Sequence, residues 1–124
     1  MTFWRTVGVG VWVGVSLALV VGGCGTTGTS VDREKVEFHY KLANTSYYEH
    51  NVIVALRELT TVLEEDPEHP DALHLMGFIL FGRKEHASAE RHFRKALTIR
   101  PGFLDARANL GALLLATRRW SEAI

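Results

Sequence analysis

With 124 residues, 14 basic and 14 acidic side chains, six histidines and a single cysteine, the chain has room for one small domain and cannot support a disulfide framework. Its balanced charge lacks the basic footprint that nucleic-acid binding requires, so no nucleic-acid partner is expected. Acids outnumber bases nine to four from Gly25 to His69, and bases outnumber acids nine to five from Pro70 onward; solvated helix faces account for this, and the same asymmetry would steer a charged partner.

The first element is apolar. Met1 to Thr6 carries Arg5, and Val7 to Gly22 has no ionisable side chain, the layout of a secretory signal, predicted here over residues 1–23. A permanent membrane span is the competing reading. The run falls short of the roughly 20 apolar residues a bilayer needs, and Gly8, Gly10, Gly14, Gly22 and Gly23 weaken it as a helix. Val21-Gly22-Gly23-Cys24 resembles the lipobox of bacterial lipoprotein signal peptides. The resemblance implies that Cys24 becomes the first mature residue, carrying a diacylglycerol thioether and usually an amide-linked acyl chain such as palmitate. An incidental cysteine behind an ordinary leader is the alternative. One acyl chain binds a membrane marginally and two or more bind it stably. Residues 24–35 are expected to form a lipidated, flexible tether, since Gly25 to Val31 is small and polar. Gly25, not aspartate, follows the cysteine, which in that family implies the outer membrane, facing the periplasm.

Beyond the tether the apolar spacing is helical, and the chain repeats itself. Pro67 and Pro101 each end a helical pattern 34 residues apart. With proline at position 32, repeats span residues 36–69, 70–103 and 104–124, the last stopping at position 21. Position 7 is then Leu42, Met76 and Leu110; position 8 is Ala43, Gly77 and Gly111; position 20 is Ala55, Ala89 and Ala123; position 24 is Leu59 and Phe93. The pattern resembles the tetratricopeptide repeat. The resemblance implies an all-α fold, a right-handed superhelical solenoid of helix-turn-helix pairs, here incomplete and part of a longer protein. Small residues at positions 8 and 20 are expected at the helix crossings, where a large side chain would hold two helices apart. Predicted helices are Val36 to Glu49, Val52 to Glu65, Pro70 to Phe81, His86 to Ile99, Phe103 to Ala116 and Trp120 onward. Position 4, often tryptophan, is His39, Leu73 and Arg107, and position 11, often tyrosine, is Ser46, Leu80 and Leu114; His39, Ser46 and Arg107 predict thinner packing there.

In the family, the first helix of each pair lines a concave groove. Mapped by position, the partner-binding residues are Tyr40, Asn44, Tyr47, Tyr48, His74, Phe78, Phe81 and Asn109. Independently of the resemblance, Tyr40, Asn44, Tyr47 and Tyr48 share one helix face, and His74, Phe78 and Phe81 repeat the stripe. Such a face suits a partner's peptide or helix; packing of the same rings against a loop or a further repeat is the alternative. The groove positions that other members use to clamp an acidic carboxy terminus hold Tyr40, Leu75 and Asp105, with only Asn44 and Asn109 of suitable type, which argues against such a clamp.

Catalysis has little support: there is no nucleophile elbow and no glycine-rich phosphate loop. His69 and His74, or His86 and His92, stand five and six residues apart, spacings that do not bring two ligands together on a helix. The chain is expected to be no enzyme and to need no cofactor or metal. A lipobox followed by a brief tether and then by repeats is similar to the pilotins of type IV pilus biogenesis, which help a secretin channel reach the outer membrane and multimerise. That resemblance implies a lipid-anchored scaffold whose protein partner is a secretin subunit or another envelope protein. A general cell-envelope scaffold, or an accessory domain of a longer enzyme, remains open.

Overall fold

The computed structural model describes residues 31–123, which form six helices: α1 (Arg33–Tyr48), α2 (Val52–Glu65), α3 (Pro70–Gly82), α4 (His86–Ile99), α5 (Leu104–Ala116) and α6 (Trp120–Ala123). No strand occurs among the described residues, and no helix among them is long and apolar enough to cross a membrane. The leader predicted over residues 1–23, Cys24 and the tether up to residue 30 lie outside the described residues. Both ends of α2 and α4 fall where the sequence predicts them. Helix α1 begins three residues ahead of the expected Val36, because the Asp32 carboxylate accepts the Lys35 amide hydrogen at 3.2 Å and caps the first turn. The tether expected through residue 35 therefore stops at Asp32. Phe103 is the residue before α5, not its first, and α3 continues one residue to Gly82.

Three-residue turns join the helices of each pair, and four-residue turns join one pair to the next. The within-pair turns share a device that recurs with the repeat. His50, Lys84 and Arg118, each 34 residues after the last, adopt left-handed backbone with φ of 61°, 63° and 60°. In each case the following amide reaches back five residues: Asn51 N to Ser46 O at 2.8 Å, Glu85 N to Leu80 O at 2.9 Å and Arg119 N to Leu114 O at 2.8 Å. This is the Schellman closure of a helix end, which favours glycine because an L side chain crowds its own carbonyl there. Lys84→Gly removes that crowding, partly offset by glycine's greater entropy when unfolded. It is expected to raise stability by about 0.5–1 kcal/mol, read as a higher urea midpoint in circular dichroism; a lowered midpoint would contradict it.

Small residues set the helix crossings where Ala43, Ala55 and Ala89 are fully buried. Gly77 is the tightest point: a Cβ placed there would lie 2.8 and 2.9 Å from Phe93 ring carbons and 3.2 Å from the Ala89 carbonyl oxygen. Ala43 and Ala55 join Leu59, Val62, Ala72, Met76 and Ile79 in a cluster across α1, α2 and α3. Phe93 and Ala89 pack with Leu113 and Leu114 of α5, Ala123 lying half-buried at the edge of that cluster. At Gly111, nothing among the described residues comes within 4 Å of a Cβ built there.

The polar residues at position 4 are accommodated differently. His39 Nδ1 lies 2.7 Å from the Glu58 carboxylate, which is buried and also accepts from Arg57 Nε at 3.1 Å. Arg107 is exposed and donates to the Pro101 carbonyl. Phe38 and Leu42 of α1 are exposed at 63% and 38%, although their counterparts one repeat on, Ala72 and Met76, are buried against α2. No described helix precedes α1 to cover them.

Candidate functional site

Three successive odd-numbered helices, α1, α3 and α5, present one side chain after another to a shared concavity of about 430 Å³. The helical repeat accounts for this, since residues spaced by three or four share a face and the pairs stack in register. Tyr40, Asn44, Tyr47 and Tyr48 come from α1, Asp71, His74, Leu75 and Phe78 from α3, and Asp105, Ala108 and Asn109 from α5, with Phe103 at the base of α5. Seven of the eight residues expected in a groove therefore line one hollow. Phe81 does not: it is half-buried beside the Ala89, Phe93, Leu113 and Leu114 cluster and lines an adjoining apolar hollow with Tyr47, Phe78, Val52 and Ile79. Although Phe81 shares the stripe of His74 and Phe78 and stands 34 residues after Tyr47, its ring packs toward α4, 5.7 Å from His86.

Rings set the walls. Tyr47 meets Tyr48 edge-on at 5.8 Å and Phe78 at 5.9 Å between centroids, so the three span the gap between α1 and α3. The His69 ring lies 5.0 Å from Tyr40, and the Phe103 ring 4.9 Å from His74. These are the same pairing one repeat apart: the ring of the last residue of each repeat packs at a tilt against that of its position 5. Phe103 was not among the residues expected in the groove. The signal was present in the sequence, since His69 and Phe103, like Tyr40 and His74, stand 34 apart as ring-bearing residues.

Hydrogen bonds and charges fix the floor. Asn109 Nδ2 lies 2.8 Å from His74 Nε2 and donates to it, which puts the ring proton on Nδ1. Burial lowers the His74 pKa from its ordinary 6.5, and the neutral ring is the form that can accept this bond. Asp71 is gripped by both Arg100 nitrogens at 2.9 and 2.8 Å, and that hydrogen bonding holds its carboxyl below the usual aspartate range. Arg100 also stacks on Phe103, its guanidinium carbon 4.8 Å from the ring centroid. The pair ties the end of α4 to the start of α3, anchoring the helix that carries His74 and Phe78. Burial raises the Tyr40 hydroxyl's pKa, leaving the phenol protonated and able to donate. No group of three or more His, Cys, Asp or Glu side chains among the described residues is arranged to hold a metal ion. What the hollow offers is aromatic faces, two side-chain amides and two carboxylates.

Comparison with known proteins agrees with this geometry. The tetratricopeptide repeat family profile matches residues 80–124. No curated protein matches the sequence. Among solved structures, a crystal structure of MamA is 23% identical, with 71% of this chain and 52% of that chain covered and a TM-score of 0.67. The first TPR of Spaghetti (RPAP3) bound to the HSP90 peptide SRMEEVD is 21% identical over 73% of each chain, with a TM-score of 0.67. A Thermobaculum terrenum O-GlcNAc transferase mutant is 24% identical over 74% of this chain and 18% of that one, with a TM-score of 0.69. The chain thus spans about half the length of MamA and under a fifth of the transferase. Its fold is that of a tetratricopeptide repeat domain.

Proposed function

We propose that the chain is a protein-interaction scaffold that holds a segment of a partner protein in the groove between α1, α3 and α5. The observation that carries this reading is the single hollow of about 430 Å³ in which Tyr40, Asn44, Tyr47, Tyr48, His74, Phe78 and Asn109 converge. Exposed rings beside amides that both donate and accept suit a peptide, whose backbone needs hydrogen bonds and whose side chains need apolar cover. The Spaghetti domain, which shares the fold, is bound to a peptide.

The finer reading concerns place and partner. The Val21-Gly22-Gly23-Cys24 stretch supports lipidation at Cys24, and a tether of eight residues between Cys24 and the Arg33 start of α1 would hold the groove close to a membrane surface. In this reading the protein is anchored in the outer membrane and presents the groove to a secretin subunit during pilus biogenesis, so that anchoring and capture together concentrate the subunit where it must assemble.

A single comparison in a host that assembles the secretin tests both halves. Wild type, Cys24→Ser and the double variant Tyr47→Ala/Phe78→Ala are expressed as the full chain and fractionated. Wild type is expected to start at Cys24 with added acyl mass and to sediment with outer membrane. The Cys24→Ser form is expected to lose both properties, and either variant to leave secretin monomers in excess over multimers. Unaltered mass and fractionation in Cys24→Ser would remove the anchor, and normal multimers in both variants would remove the secretin role.

A further inference from the structure

The groove's charge narrows the chemistry of its occupant. Its lining includes two carboxylates, Asp71 and Asp105, and neither lysine nor arginine. Asp71 is already bound on both oxygens by Arg100. Asp105 is exposed in the first turn of α5 and forms no ion pair among the described residues. His74 is kept neutral by burial and by the Asn109 bond, so it adds no compensating positive charge. The hollow is therefore an aromatic trough with one carboxylate at its α5 wall that has no cationic side chain paired to it among the described residues.

Resting on the groove reading above, we propose that this trough selects a partner segment bearing a lysine or arginine between apolar side chains, with Asp105 taking the cation and the Tyr47, Tyr48 and Phe78 rings taking its flanks. A ring's negative face attracts a cation as well as covering apolar atoms, and Arg100 over Phe103 shows a guanidinium already held that way in this chain. An acidic segment would be disfavoured, because its carboxylates would be desolvated beside Asp105 without a cation to receive them. The peptide in the Spaghetti complex, with one arginine against two glutamates and a terminal aspartate, is acidic overall and belongs to the disfavoured class.

A randomised peptide display selected against the full chain tests this, with the selected peptides re-measured by fluorescence polarisation against three variants. Peptides are expected to be enriched in lysine or arginine flanked by aliphatic or aromatic residues and to lose binding to Tyr47→Ala/Phe78→Ala. Asp105→Asn is expected to weaken them by roughly two- to fivefold, the range for an exposed ion pair, and added salt to erase that difference. Selection repeated on Asp105→Lys is expected to turn toward acidic peptides. Peptides that need Tyr47 and Phe78 but show no cationic enrichment would overturn the charge preference and leave the groove reading standing. Peptides indifferent to Tyr47→Ala/Phe78→Ala, or an empty selection, would overturn both.

Discussion

Replacing Phe93 by alanine is expected to cost about 3–5 kcal/mol, the range for truncating a fully buried aromatic ring. That is a large part of the 5–15 kcal/mol that holds a small domain together. The ring has no exposed surface and packs with Ala89, Leu113 and Leu114, so it is the piece that joins the second helix pair to α5. Urea unfolding followed by circular dichroism should show the loss, and because repeats couple mainly to their neighbours, the transition should also broaden as α5 uncouples. A loss below about 1 kcal/mol would mean that α3, α4 and α5 do not pack as described. The same ring sets the cost of Gly77→Ala. The added methyl would stand 2.8 Å from a Phe93 carbon and 3.2 Å from the Ala89 carbonyl oxygen. Neither neighbour can move freely, and overpacking of this kind costs about 1–3 kcal/mol. In a Phe93→Leu background most of that penalty is expected to vanish. A double-mutant cycle reads the coupling directly, and strict additivity would show that the ring and the glycine do not meet.

The second large effect concerns His39 and Glu58. Replacing His39 by leucine leaves the buried Glu58 carboxylate with only Arg57 for company, at an expected cost of about 1–3 kcal/mol. The double variant His39→Leu/Glu58→Leu is expected to fall close to wild type, because two packed leucines avoid the desolvation the pair must overcome. Leu73 shows that a leucine fits position 4, since it is buried there in the next repeat. The pH dependence has a definite sign. The hydrogen bond from His39, with a smaller contribution from Arg57, depresses the Glu58 pKa below its ordinary 4.5. Its contribution is therefore complete above that value and is lost as the pH falls through the folded-state pKa. Chemical denaturation repeated from neutral pH down past 4.5 should show wild type losing more stability than the double-leucine variant. Parallel curves would mean that this pair contributes nothing to acid sensitivity.

Much of the architecture was legible because two prolines, Pro67 and Pro101, set a 34-residue frame and small residues recur within it. A helix that must stop at a proline and approach a neighbour at an alanine has little freedom in where it begins and ends, which is why α2 and α4 were drawn correctly at both ends. The same frame puts seven of the eight residues expected in the groove around one hollow, with Phe81 in the adjoining one. That residue holds the same repeat position as Tyr47, but its ring packs beside the Ala89, Phe93, Leu113 and Leu114 cluster, a difference that the spacing alone does not encode. The left-handed turns were hidden because their residues are His50, Lys84 and Arg118, none of which announces that backbone as glycine would. Asp32 was passed over as tether because capping depends on one side-chain rotamer, which apolar periodicity does not encode.

The uncovered flank of α1 has a consequence for the order in which the molecule comes apart. Helix α3 is enclosed by α2, α4 and α5, whereas α1 packs on α2 and meets α3 through Tyr47 and Phe78, and among the described residues nothing covers Phe38 and Leu42. Opening the first pair therefore gives up fewer buried contacts than opening the second. In native-state hydrogen exchange the amides of α1 should release their protons well before those of α3, through a partly opened form in which the α3–α4 pair is still closed. The rings that α1 contributes to the groove are then held by the less durable half, so an occupant bridging Tyr47 to Phe78 would slow α1 exchange as well as gain a binding surface.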